Sequence, residues 1–247
     1  LRLLLRKWEP DTVAYVKSRV KEGMLVVDVG AHVGYYTRLF AELVGPRGFV
    51  VALEPHPETF RLLTENVRCL AHVRPLSLAA GEKEGPATLF DALVETGSAS
   101  LRLHWTKRDK QQRETRAELA PRTQQKIPLV RYSVEVRRAD NILRSLDINR
   151  GVDFLKVDVE GAEVTVLRSF GEMLRDVGEV VCELGPSHLQ SFATSAEELL
   201  ALLRCNGFSE FGILDGGVRW ASSAEIEHFA ERMDVGEVVN IVARKPR

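Results

Sequence analysis

A chain of 247 residues with 45% hydrophobic and 28% charged residues holds enough apolar material for a sizeable core and has the composition of an ordinary globular enzyme. Its net charge of −1 excludes a global electrostatic pull toward nucleic acid or membrane, and no apolar stretch approaches the roughly 18 residues of a bilayer span. Cys69, Cys182 and Cys205 lie far apart with no C-x-x-C pair. That spacing argues against a disulfide framework or zinc finger and predicts free thiols in a reducing, cytoplasmic compartment.

In chain order, Leu3-Leu4-Leu5 is too short for a signal-peptide core. A helical pattern near 10–21 precedes an apolar run at 24–29. Helix 33–44, strand 48–54, helix 57–70 and strand 73–78 follow. Residues 82–150 break the rhythm: a strand at 87–90, a Gly97-Ser98-Ala99-Ser100 loop, a basic stretch from Arg102 to Lys126, a strand at 129–136 and a helix at 140–146. The alternation then resumes with strand 153–158, helix 162–175, strand 178–183, helix 195–206 and strand 208–214. A polar loop with Gly216-Gly217, a short helix near 222–232 and a strand at 238–244 end the chain. This is an α/β pattern: a seven-stranded, mostly parallel, Rossmann-like sheet with helices on both faces. Residues 1–247 read as one domain carrying an insertion, 82–150, between its third and fourth strands. The last two strands are expected to pair antiparallel, and their exposed edge offers a route to a homodimer.

The first strand ends in Asp28-Val29-Gly30-Ala31-His32-Val33-Gly34-Tyr35, and the second ends in Glu54-Pro55 about 20 residues beyond Gly34. An acid, a glycine turn and a distal acid at successive strand ends mark a nucleoside site at the first switch point of a parallel sheet. A dinucleotide site would read G-x-G-x-x-G; the spacing here is D-x-G-x-x-x-G, and Asp28 is expected to point its charge into the pocket and repel a pyrophosphate. A cationic nucleoside without phosphate fits better, and S-adenosyl-L-methionine is one. Cofactor contacts are therefore expected from Asp28, Gly30, His32, Gly34, Tyr35, Glu54 and Pro55, with Glu54 accepting the ribose hydroxyls. The competing reading of Glu54 is an acid at the start of the next helix. His32 and His56 read more readily as hydrogen-bonded loop residues than as bases.

Lys156-Val157-Asp158-Val159-Glu160-Gly161 ends the fourth strand, and alternation places Lys156, Asp158 and Glu160 on one side until Gly161. Three ionisable groups at the mouth of a buried strand suit proton handling: a neutral lysine or a carboxylate taking the proton of an acceptor hydroxyl. A structural Lys–Asp pair is the competing reading. Asp158 is the expected base or acceptor-orienting group, Lys156 its tuner, and Glu160 a loop or acceptor contact. Glu183, ending the fifth strand, lines the acceptor pocket, binds a metal or pairs with the basic insertion; His188 is an acceptor-site candidate. Asp158, Glu160 and Glu183 could supply oxygen ligands, but no spacing demands a metal and none is assigned. Residues 101–150 hold 13 Lys/Arg against 6 Asp/Glu, a surplus of 7 that leaves −8 on the remainder. That stretch reads as solvated surface charge or as a docking face for an acidic or nucleic-acid acceptor, although Trp105 and Tyr132 are few aromatics for a stacking platform.

Together, VVDVGAHVGYYT (26–37), ALEPHPETFRLLTENV (52–67), GSASL (97–101), DFLKVDVEGAEVTVLRSF (153–170) and, more loosely, VVCELGP (180–186) resemble the FkbM family of S-adenosylmethionine-dependent methyltransferases. The resemblance implies a class I methyltransferase fold of seven strands and O-methylation of a hydroxyl on a sugar, polyketide or other small metabolite. It places Asp28, Gly30 and Glu54 at cofactor positions and Lys156, Asp158 and Glu160 in the family's K-V-D-V-E-G-A-E motif. An RNA or protein methyltransferase docking through the basic insertion, a nicotinamide-dependent oxidoreductase and a non-catalytic adenosylmethionine-binding module are the other readings.

Overall fold

The structure, a computed structural model, describes residues 9–91 and 130–246. Helix α1 (Pro10–Arg19) leads into β1 (Leu25–Val29), α2 (Tyr35–Val44), β2 (Phe49–Leu53), α3 (Pro57–Val67) and β3 (Val73–Leu76). Strands β4 (Ala79–Ala80), β5 (Gly85–Asp91) and β6 (Val130–Arg137) come next, then α4 (Ala139–Ser145) and β7 (Phe154–Val157). Helix α5 (Glu163–Ser169), a 3-10 turn (Gly171–Asp176), β8 (Glu179–Leu184), α6 (Pro186–Ser191) and α7 (Ala196–Cys205) follow. The chain closes with β9 (Glu210–Leu214), β10 (Val218–Ala221), α8 (Ser223–Ala230) and β11 (Val239–Arg244).

The main sheet runs β3-β2-β1-β7-β8-β11-β9-β10. From β3 to β8 the pairs are parallel, whereas β11 lies antiparallel between β8 and β9. The seven expected strands are all present, with the late antiparallel pairing. The difference is an eighth: β10 folds back on β9 through Gly216 and Gly217, both at positive φ. The stretch expected as a polar loop is thus a hairpin, because paired glycines at positive φ reverse the chain sharply. Strands β4, β6 and β5 form a separate three-stranded sheet; β5 and β6 fall within the expected insertion, whereas β4 precedes it. The basic stretch 102–126 and the Gly97–Ser100 loop lie outside the described residues.

Every residue of β1 is buried, as a central strand covered on both faces requires. Alternation sorts its side chains: Leu25, Val27 and Val29 join an apolar cluster with Ile142, Leu167, Leu199, Leu203 and Ile226. Val26, with Val50, Phe154, Val181 and Val242, faces the other way onto Tyr15, Tyr36, Phe40 and Leu63. Helices therefore cover both faces. Gly34, at φ 88, starts α2 two residues later than expected, and α3 opens on His56, whose side chain accepts the Thr59 N–H, followed by Pro57. Helix α6 was not foreseen. Among the described residues, no helix is long and apolar enough to cross a membrane.

Candidate active site at the strand carboxyl ends

Strands β2 and β3 extend to one side of β1, and β7 and β8 to the other. The carboxyl ends of β1 and β7 therefore flank the crevice at a topological switch point. Asp28 and Lys156 are direct partners in the β1–β7 register, so their side chains share a face. One residue past β7, the Asp158 N–H donates to the Val29 carbonyl. Gly30 sits at φ 80, and a Cβ there would lie 1.8 Å from the Asp158 carbonyl oxygen. The first glycine of the motif thus permits the close approach of the two strand ends. The Gly30 and Ala31 amides both donate to the Leu53 carbonyl, which ties the turn to β2.

Asp28 does not open onto the crevice as expected. It is wholly buried; its Oδ2 accepts from Thr37 Oγ1 at 2.7 Å, and its Oδ1 accepts no hydrogen bond among the described residues. Burial raises its pKa, and Lys156 and the Thr37 hydroxyl offset part of that rise. The Lys156 Nζ lies 2.7 Å from Asp158 Oδ2 and 4.5 Å from the centre of the Tyr36 ring. Burial opposes its charge, but Asp158, Asp28 and Glu9 outweigh burial and hold the ammonium above the usual lysine range. The neutral-lysine reading is therefore overturned: Lys156 is a buried cation between two carboxylates. The paired reading follows from that contact.

Glu54 is buried at the end of β2, with Oε2 accepting the His32 N–H at 2.9 Å and Oε1 the His56 N–H at 2.8 Å. Burial pushes it up to about 7, against the pull of those two amides. It fastens both loops, and each oxygen keeps a second lone pair. His32, at φ 50, is held in the left-handed region, and burial lowers its pKa. The His56 ring packs edge-on against Tyr132 of β6, with centroids 4.4 Å apart, so the small sheet reaches the end of β2. Tyr35 is half-buried against the apolar cluster and Pro55 is half-buried beside Glu54. Of the two tyrosines it is Tyr36 that meets the ionic network; its hydroxyl donates to Glu9.

Glu160 leaves the Lys156–Asp158 side. At φ 55 it turns toward α6, where its Oε2 lies 3.4 Å from His188 Nδ1; Glu183 Oε2 lies 3.5 Å from the same nitrogen. Glu163 was quoted in the motif but given no role. Its Oε1 accepts the Gly161 and Val159 amides, and burial raises it to about 7. Its place two residues after the glycine was the available signal. Glu9 and Asn240, whose side-chain amide donates to Glu9, carried none, because their partners are remote in sequence; Thr37 lies in the 26–37 motif, nine residues from its partner Asp28, and was given no role. At the opposite end of the sheet, a cavity of about 600 Å³ is lined in part by Arg19, Asp153, Glu179 and Lys245. Arg19 is paired with Glu179 there, at 2.8 Å.

The sequence matches the family described as the methyltransferase FkbM domain over residues 28–210, which includes every residue named at this crevice except Glu9 and Asn240. The chain belongs to the FkbM family of S-adenosylmethionine-dependent methyltransferases. Methyltransferase 1 of Beauveria bassiana is 27% identical over 187 residues, covering 74% of this chain and 72% of that protein. Methyltransferase sdnD of Sordaria araneosa is 29% identical, with 64% of each covered. The protein-L-isoaspartate O-methyltransferase of Ignicoccus hospitalis is 32% identical over 94 residues, 36% of this chain and 44% of that protein. The chain thus spans less than half the length of that last relative. A solved methyltransferase FkbM from Methylobacillus flagellatus aligns at TM-score 0.48 and 13% identity, covering 89% of this chain and 43% of that one. The assignment rests on the sequence match. The FkbM crevice also fits the cofactor: Glu54 presents two buried, amide-held oxygens with lone pairs to spare, beside a glycine turn that carries no bulk.

Proposed function

We propose that this FkbM protein transfers a methyl group to a hydroxyl of a small acceptor, a sugar, polyketide or similar metabolite, within one cytoplasmic domain. The observation that carries the reading is the placement of Glu54 and the Lys156–Asp158 pair on either side of the Gly30 turn. When bound, S-adenosylmethionine supplies an electrophilic methyl carbon on a sulfonium. Glu54 accepts the ribose hydroxyls; Gly30, Gly34 and Pro55 shape the floor; His32 and Tyr35 line the turn. Asp158 accepts a hydrogen bond from the acceptor hydroxyl and aims its oxygen. The Lys156 ammonium, 2.7 Å from Asp158 Oδ2, holds that carboxylate in place, which suits it to orient the acceptor. Placement of this kind supplies a large part of the rate in a displacement. Cys69, Cys182 and Cys205 are free thiols, which supports a reducing compartment.

Calorimetric titration with S-adenosylhomocysteine, with a nicotinamide dinucleotide as control, tests the cofactor half. Micromolar binding of the first and none of the second is expected. The reverse would sink the reading. Asp158→Asn with unimpaired S-adenosylhomocysteine binding and nearly full turnover would remove Asp158 from the reaction.

A further inference from the structure

Three side chains from separate elements converge beside the transfer crevice. Glu160 follows β7, Glu183 lies next to the end of β8, and His188 belongs to α6. One ligand atom from each lies within 4.8 Å of the others, with His188 Nδ1 at 3.4 Å from Glu160 Oε2 and 3.5 Å from Glu183 Oε2. Glu183 Oε2 is sealed from solvent and accepts no hydrogen bond among the described residues. The elements are also locked together: a Cβ at Gly161 would lie 2.4 Å from the His188 carbonyl oxygen, and one at Gly185 would lie 2.9 Å from Val238.

We propose that Glu160, Glu183 and His188 bind a divalent first-row transition ion, with Mn²⁺, Fe²⁺ or Zn²⁺ as the fitting class. One imidazole nitrogen with two carboxylate oxygens is a borderline donor set, softer than the all-oxygen cages of Ca²⁺ or Mg²⁺. Ligand bonds of about 2.0–2.1 Å in a tetrahedron separate the ligand atoms by about 3.4 Å, close to the two spacings on His188. Three protein ligands leave a position for solvent or substrate, the arrangement of a catalytic metal site. On the transfer reading, the open position takes the acceptor hydroxyl. A cation there would acidify a coordinated hydroxyl. The proton leaves to solvent, the oxygen–carbon bond forms, and the carbon–sulfur bond breaks with its electrons passing to sulfur. That role rests on the methyl-transfer reading; the binding site does not.

The test is direct. The chelator-stripped full chain is titrated with Mn²⁺, free ion is read by electron paramagnetic resonance and bound ion by elemental analysis after gel filtration. One equivalent should bind saturably. Glu183→Gln and His188→Ala should each weaken binding about tenfold or more, while Glu172→Gln, on the exposed 3-10 turn, should leave it unchanged. Unaltered circular dichroism and S-adenosylhomocysteine affinity establish that the variants are folded. No saturable binding by the wild type, or binding that survives both substitutions, overturns the proposal. S-adenosylhomocysteine binding without Mn²⁺ binding removes the metal site and leaves the transfer reading standing. Mn²⁺ binding without S-adenosylhomocysteine binding upholds the site and removes the transfer reading.

Discussion

Two residues decide how the crevice is built. Gly30 has no room for a side chain, since its Cβ would overlap the Asp158 carbonyl and its φ is 80. Gly30→Ala should therefore push β1 and β7 apart, destabilise the fold by several kcal/mol (roughly 2–4) and abolish S-adenosylhomocysteine binding, measured by urea unfolding and calorimetry. Glu54 gives a pH-dependent prediction. Its folded pKa of about 7 exceeds its ordinary 4.5, so the native state holds the proton more tightly. Its contribution is fully present below 4.5 and is lost as pH rises through about 7. Glu54→Gln cannot ionise and escapes that loss. The wild type should therefore fall behind the variant by about 3 kcal/mol between those pH limits, read from melts at each. The variant should also bind S-adenosylhomocysteine about tenfold more weakly, having lost an acceptor. A pH-independent difference in stability would reassign the buried charge to its neighbours. Lys156→Met leaves Asp28 and Asp158 uncompensated, and a loss of roughly 3–5 kcal/mol is expected.

At the scale of elements, legibility followed locality. The apolar runs of β1 and β7 and the acids that end them could be read because a strand buried on both faces has a plain sequence pattern. Ser222 followed by Glu225 makes the capping box that starts α8, a short-range signal of the same kind. Ser222→Ala should destabilise by about 1 kcal/mol and speed amide exchange in α8 before the sheet is affected. Other features needed contacts that no window contains. Strand β10 is too short and exposed to show alternation, and α6 is a six-residue helix whose reason lies in packing on Gly161. At the site, the motif K-V-D-V-E read as one row. The left-handed Glu160 splits it into an ion pair under the turn and a separate cluster with Glu183 and His188. Backbone conformation at one residue, invisible to alternation, made that division.

At the scale of the whole molecule, the small sheet separates two questions that the sequence tied together. Strands β5 and β6 pair antiparallel with Asp91 directly opposite Val130, so the two residues that flank 92–129 are neighbours. Those residues carry 8 Lys/Arg against 4 Asp/Glu, most of the basic surplus. Joining Asp91 to Val130 by an Asn-Gly turn should preserve the β5–β6 ladder and the Tyr132 contact on His56, because such a turn matches the twist of paired strands. We expect unchanged thermal stability and S-adenosylhomocysteine affinity in that variant, since Gly30, Glu54, Lys156 and Asp158 are held by the main sheet. Loss of cofactor affinity would place part of the cofactor site within 92–129. The two acceptor readings then separate by ionic strength. An acceptor carrying many phosphates would bind with a steep salt dependence that flattens when these cations are removed. A small hydroxylated acceptor would show a shallow dependence before and after, and that outcome is expected if the chemistry is confined to the crevice between β1 and β7.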